Sequence, residues 1–115
     1  MSATESVLDH HLAMFGEGDL DGIMEDYAAD AVLMTETDTF EGRDEIRAMY
    51  EQLLPEFDDD VVTFSLDEQK TVDDVAYIVW HAETPENEYE YATDTFVIRD
   101  GEIVAQTLAA KITPK

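Results

Sequence analysis

The apolar residues of this chain change period part-way along it, and that change restricts the possible fold more than any other feature. Up to the middle of the chain they recur mainly every three or four residues, and from Val61 onward they alternate. A 3.6-residue period lines one face of a helix, whereas a period of two lines one face of a strand. A helical start followed by consecutive strands implies an α+β domain, with helices covering one face of an antiparallel sheet.

The local signals agree. Ser2 and Glu5 have capping-box spacing, and Val7, Leu8, Leu12, Met14 and Phe15 follow as one stripe that Gly16 and Gly18 end. Asp19 is placed to cap a second helix, in which Leu20, Ile23, Met24 and Tyr27 recur at helical spacing. Ala31 to Glu36 reads as a short strand and 37–42 as a loop. A third helix starts at Arg43 and carries Ile46, Met49, Tyr50 and Leu53, and Pro55 is expected to stop it. Strands are expected at Val61–Lys70, Val75–Thr84, Glu88–Arg99 and Glu102–Ile112, with turns at Asp73-Asp74 and Asp100-Gly101. The expected order is ααβαββββ, with three helices packed on one face of a curved, cone-shaped antiparallel β-sheet. One domain is expected over residues 1–115, with an ordered core at about 5–112.

Six basic against 29 acidic residues give a net charge of −23. Such a charge can mark disorder, but a hydrophobic fraction of 44% in periodic positions supports folding instead. It argues against a nucleic-acid backbone or an anionic membrane as partner, since both need a basic patch. The carboxylates are dispersed along the chain rather than gathered at one end, as an acidic tail would be. An even acidic coat with three lysines fits a chain adapted to a salt-rich interior. With no Cys, disulfides, thiolate metal sites and thiol nucleophiles are excluded. The segment MSATESVLDHHLAMF has no basic region ahead of an apolar block, and no apolar run nears a membrane span, so a cytoplasmic protein is expected.

Several motifs together carry a resemblance: Gly18-Asp19-Leu20-Asp21-Gly22-Ile23, Tyr27-Ala28-Ala29-Asp30-Ala31-Val32, Gly42-Arg43-Asp44-Glu45-Ile46 and Arg99-Asp100-Gly101-Glu102-Ile103. In order and spacing the chain resembles the nuclear transport factor 2-like superfamily, in its SnoaL-like and ketosteroid isomerase-like branch, over about residues 5–112. The resemblance implies a cone-shaped fold with a deep pocket between sheet and helices, commonly in dimers, and a range of isomerases, cyclases, dehydratases, epoxide hydrolases and binding modules. Ketosteroid isomerases set an Asp base opposite a Tyr and a protonated Asp that donate to an oxyanion. Anchored on the Gly18–Ile23 motif, the Tyr position falls on His11 and the protonated Asp on Asp94. An aromatic two residues further falls on Phe96. The base position falls on Thr35, which cannot accept a proton; Glu36 or Asp38 could replace it by a small shift.

The residues point to the same place. Alternation sets Ala92, Asp94, Phe96 and Ile98 on one face. If Arg99 pairs with Glu102, regular pairing puts Asp94 opposite Thr107 and Phe96 opposite Ala105. The direction of His11 lies within about 25° of the mean direction of the first helix's stripe, so it faces inward, with Asp94 as its expected partner and a coupled titration of the two. A carboxylate and an imidazole facing one cavity are acid/base candidates. Tyr27, Tyr77, Phe96, His81 and Met49 are expected to line that cavity. Trp80, Val97, Val104 and Leu108 are expected on the opposite face, as the surface of a homodimer formed through the sheet. Each site residue also has a plainer reading: Asp94 as a structural carboxylate satisfied by backbone or Thr107, and His11 as a hydrogen-bonded core residue.

No metal or other cofactor is expected. His10 and His11 are adjacent rather than i, i+4, and Asp58-Asp59-Asp60 lacks the ligand spacing and central Gly of a calcium loop. No Gly-rich phosphate loop or nucleophile elbow occurs. Two functions follow. One is an enzyme doing acid/base chemistry, of isomerase, cyclase or hydrolase type, on a small apolar or polyketide-like molecule. The other is a non-catalytic ligand-binding or dimeric scaffold module. The charge itself yields a prediction. Repulsion among the acidic side chains is screened by salt, so the melting temperature should rise steeply between about 0.1 M and about 2 M KCl. Calorimetric scans across that range check it, and a flat profile contradicts the salt-adapted reading.

Overall fold

A computed structural model describes residues 2–115. Helix α1 (Ala3–Glu17) starts where Ser2 Oγ accepts from the Glu5 amide and ends where Gly18 turns left-handed at φ 68°, a conformation that costs least for glycine. Asp19 Oδ1 accepts from the Gly22 amide and caps α2 (Leu20–Met24). Strand β1 (Tyr27–Met34) begins earlier than its sequence pattern suggests, so Tyr27 belongs to the sheet and not to the second helix. The expected 37–42 loop contains a short strand, β2 (Thr39–Glu41), antiparallel to β1. Helix α3 (Arg43–Phe57) runs on through Pro55. At that point proline removes an amide in the last turn only, and Glu56 and Phe57 beyond it are held by their own contacts. Four strands complete the chain: β3 (Thr63–Val72), β4 (Val75–Glu83), β5 (Asn87–Arg99) and β6 (Glu102–Pro114). At the β5–β6 turn Asp100 and Gly101 both take positive φ, 53° and 76°, and Arg99 pairs with Glu102 as expected.

The six strands lie in the order β2-β1-β6-β5-β4-β3. Neighbours are antiparallel except β1 and β6, which run parallel. The α+β class stands, but the sheet is mixed rather than wholly antiparallel, and the order is ααββαββββ. Parallel neighbours need a long crossover, which α3 and the β3–β5 meander supply. The sheet is curved and does not close, and the helices cover one face: α1 over β4 and β5, α3 over β1 and β2.

Two bulges decide which side chains face the helices. In β6, Val97 pairs with Ala105 and Ile98 with Ile103, so Val104 is an extra residue. In β5 one extra residue falls between Tyr89 and Tyr91, against both neighbouring strands. An inserted residue bends the strand and moves every later side chain to the other face. The result in β6 is that Asp94 pairs with Leu108 and Phe96 with Gln106, not with Thr107 and Ala105 as regular pairing requires. Leu108 therefore faces the helices. Trp80 does too, because it shares the buried set Ala76, Ile78, Trp80 and Ala82 of β4. Neither residue is on the outer face where the sequence reading set them; that face carries Tyr77, Val79, Thr93, Thr95 and Val97.

One carboxylate fastens the far end of α3 to the sheet. Glu56 accepts from Thr84 Oγ1 at 2.7 Å, Asn87 Nδ2 at 3.0 Å and the Tyr89 hydroxyl at 3.0 Å. Thr84 and Tyr89 are buried, so removing their acceptor leaves donors without water to replace it. Glu56→Ala should cost about 2–3 kcal/mol, read as a lowered urea midpoint with an unchanged slope.

Candidate functional site

Between α1, α3 and the bulged part of the sheet is a cavity of about 190 Å³. Its lining is almost wholly apolar, with Leu12, Leu33, Met49, Leu53, Ile78 and Leu108 prominent. Asp94 is the carboxylate at its wall, only 6% exposed. Strand parity places it there, and two side chains hold it. Trp80 Nε1 donates to Oδ1 and Gln106 Nε2 to Oδ2, each at 2.8 Å. Burial pushes the carboxyl up to about 6, and the two hydrogen bonds, which favour the charged form, oppose that rise without cancelling it.

His11 also lines the cavity, 4% exposed. Burial, reinforced by the neighbouring His10, lowers it to about 4, so the ring is neutral near pH 7. It does not touch Asp94. Its Nε2 lies 3.4 Å from the Tyr50 hydroxyl, and Nδ1 has no hydrogen-bond partner, with Asp26 Oδ2 at 3.8 Å. The expected direct His11–Asp94 pair is absent: Trp80 and Gln106 bond the carboxylate, and His11 is engaged with Tyr50.

A chain of hydroxyls joins the two groups instead. Tyr27 donates to Gln106 Oε1, and the Tyr27 and Tyr50 oxygens are 2.7 Å apart. Proton counting fixes the directions. Tyr27 has one proton and gives it to Gln106, so Tyr50 must donate to Tyr27. The remaining contact of Tyr50 must then be accepted from His11, which makes His11 the Nε2–H tautomer. Burial raises both phenols above their ordinary value, and they stay protonated. His10 is half-exposed, with Nδ1 2.8 Å from Asp26 Oδ1.

Among the residues expected at the site, Asp94, His11, Phe96 and Met49 come together around the cavity. Tyr27 is fully buried behind it, in contact with the His11 ring. Tyr77 and His81 do not belong to it: they point to the outer face of β4, where His81 Nδ1 lies 2.7 Å from Asp67 Oδ2. Both parities of β4 begin apolar, and only the even set stays apolar to its end, so the reading that joined Tyr77 to Asp94 chose the wrong one. Thr35, Glu36 and Asp38 line no part of the cavity. Thr35 Oγ1 accepts from the Thr37 and Asp38 amides, and Glu36 accepts from the Ala110 amide. Tyr50, Trp80 and Gln106 are site residues that sequence reasoning missed. No group of side chains suited to hold a metal ion occurs among the described residues.

The family model of the SnoaL-like domain matches residues 8–106. The chain belongs to the SnoaL-like family. Among curated proteins nothing matches. Solved structures share the fold at low identity. The epoxide hydrolase/cyclase-like enzyme SalBIII, of pyran ring formation in salinomycin, is 19% identical with a TM-score of 0.80, covering 97% of this chain and 95% of its own. A ketosteroid isomerase-like protein from Erwinia carotovora atroseptica is 18% identical with a TM-score of 0.66, covering 94% and 93%. A de novo designed protein with a curved β-sheet is 16% identical with a TM-score of 0.80, covering 96% and 88%. A designed chain with the same architecture shows that membership of the fold does not carry an activity, which must be argued from the site.

The raised Asp94 carboxyl has a consequence for stability. A group whose folded value lies above its unfolded value of 3.8 favours the native state when protonated, and that contribution is lost as pH rises through about 6. Asp94→Asn removes this titration. Relative to wild type, the variant should gain about 3 kcal/mol between about pH 4 and about pH 8. Urea melts at constant high salt measure the difference, and a pH-independent offset would contradict a raised carboxyl.

Proposed function

We propose that this SnoaL-like protein is a small-molecule enzyme in which Asp94 moves a proton on an apolar substrate, in chemistry of isomerase, cyclase or hydrolase type. The observation that carries the reading is a carboxylate set in the wall of an apolar cavity, raised to about 6 and held by two donors. A base is most useful when its pKa lies near working pH, where it is mostly ionised yet still basic. Trp80 and Gln106 fix the orientation of the carboxylate and leave lone pairs on both oxygens. The buried phenols and His11 are positioning residues: they hold Gln106, which holds Asp94.

The second reading, a non-catalytic binding module, is favoured by one fact. Among the described residues Asp94 is the only carboxylate in the cavity lining, since the segment around Thr35 contributes nothing to it. One experiment separates the two. The probe is 5-nitrobenzisoxazole, a carbon acid that ring-opens to a coloured phenolate when a base takes its proton. Turnover should rise with pH to a plateau with a midpoint near 6, and Asp94→Asn should lower kcat/KM by about a hundredfold or more. A rate that is unchanged in Asp94→Asn removes the mechanism and leaves the binding module.

A further inference from the structure

The cavity carries a pattern of charge and donors that the family likeness does not explain. Five aromatic rings form a closed circuit within its lining. Phe15 meets Phe57 at 5.4 Å between centroids, Phe57 meets Tyr89 at 5.3 Å, and Tyr89 meets Trp80 at 5.6 Å. Trp80 stacks on Phe64 at 5.2 Å, and Phe64 returns to Phe15 at 6.5 Å. All five line the cavity. Asp94 is bonded directly to one of them, Trp80.

The lining has almost no hydrogen-bond donor left to offer. Trp80 Nε1–H is used by Asp94, the Tyr89 hydroxyl by Glu56, the Tyr50 hydroxyl by Tyr27, and the His11 Nε2–H by Tyr50. Gln106 spends one amide proton on Asp94, which leaves its second. The acceptors are different. Each Asp94 oxygen keeps a lone pair, and the lining aromatic rings have a quadrupole that is negative over the face. No Lys or Arg lines the cavity among the described residues, and His11 is neutral. Asp94 therefore has no counter-charge from the protein. An oxyanion or a carbonyl oxygen finds almost no donor here, while a positive charge finds a carboxylate and a circuit of rings.

We infer that the ligand of this cavity is an organic cation, an ammonium or other positively charged nitrogen on a small apolar body, held between Asp94 and the aromatic circuit. The inference rests on the reading of the cavity as a ligand pocket with Asp94 as its polar group, and adds the ligand's charge. Cations over aromatic rings gain from the ring quadrupole, most strongly where water is excluded.

The single tryptophan of the chain is Trp80 itself, so intrinsic fluorescence reports from the site. The probes are benzyltrimethylammonium and its neutral isostere neopentylbenzene, titrated above about 1 M KCl, where screening over about 3 Å removes general attraction to the acidic surface. The cation should bind at least about tenfold tighter than the isostere at a pH where Asp94 is ionised. In Asp94→Asn the two affinities should converge to within about threefold, because only the cation loses a partner. Phe57→Leu keeps an apolar wall and removes one ring. It should weaken the cation about two- to fivefold and leave the isostere unchanged, and it serves the same purpose if Asp94→Asn fails to fold. An isostere that binds as tightly as the cation to the wild type overturns the ligand class while the pocket stands. No change in Trp80 fluorescence with either probe overturns the pocket reading itself.

Discussion

A carboxylate among apolar side chains is costly to ionise, and much of the interior of this protein is arranged around that one cost. Desolvation drives Asp94 toward the neutral form, and two hydrogen bonds pull it back toward the charged form without restoring its ordinary value. Both donors come from strands that neighbour β5: Trp80 from β4 on one side and Gln106 from β6 on the other. Gln106 reaches the cavity only because Val104 bulges. Without that extra residue, Ala105 and Thr107 would stand there, and the Gln106 amide would not reach Asp94. The bulge is thus a chemical device as well as a means of bending the strand.

The buried phenols extend the same logic. Gln106 gives an amide hydrogen to Asp94, and its buried carbonyl, which would otherwise lack a partner, accepts from Tyr27 behind it. Tyr27 in turn is supported by Tyr50, and Tyr50 by His11. Each member has one choice of direction once the first is set, so the network specifies a single arrangement. His11 is kept neutral by burial, with His10 beside it adding to the effect, and a neutral ring still supplies the Nε2–H that Tyr50 accepts. The Nδ1 atom is left without a partner, 3.8 Å from Asp26, whose carboxyl is itself raised by burial.

The surface follows a separate rule. The exposed strand β3 lies at one edge of the sheet and carries Asp67, Glu68 and Lys70, charges that discourage pairing with another chain. The cationic side chains, few as they are, are spent outside the cavity: Arg47 on Asp21, Arg99 near Asp74, Lys115 on Glu83. The interior carboxylate is therefore left without a basic partner in a chain whose surface is acidic throughout. Glu56 shows the alternative treatment of an acid, surrounded by three donors and used to tie a helix to the sheet.

Local and periodic features were legible in the sequence by itself. The Ser2 and Asp19 caps, the Gly18 terminus, the Asp100-Gly101 turn and the α+β class all depend on residues close in the chain, whose propensities act in any context. The inward directions of His11 and Asp94 also followed from periodicity, since each was read from close apolar neighbours with no bulge between, Asp94 from Ala92, Phe96 and Ile98. What lies beyond a bulge could not be read this way. A one-residue insertion reverses the facing of everything after it, and its position is set by how the sheet must curve over the helices, not by the residues at the bulge. That is why Gln106 and Leu108 were missed. Tyr77, His81 and Trp80 were misplaced for a related reason, because the extra residue in β5 sets Asp94 opposite Ile78 and not opposite Tyr77, as regular pairing from Glu83–Glu88 would. The parallel pairing of β1 with β6, the hydroxyl chain and the aromatic circuit join residues far apart in sequence. Only tertiary packing brings such groups within bonding distance, so only the folded chain determined the partners that Asp94 has.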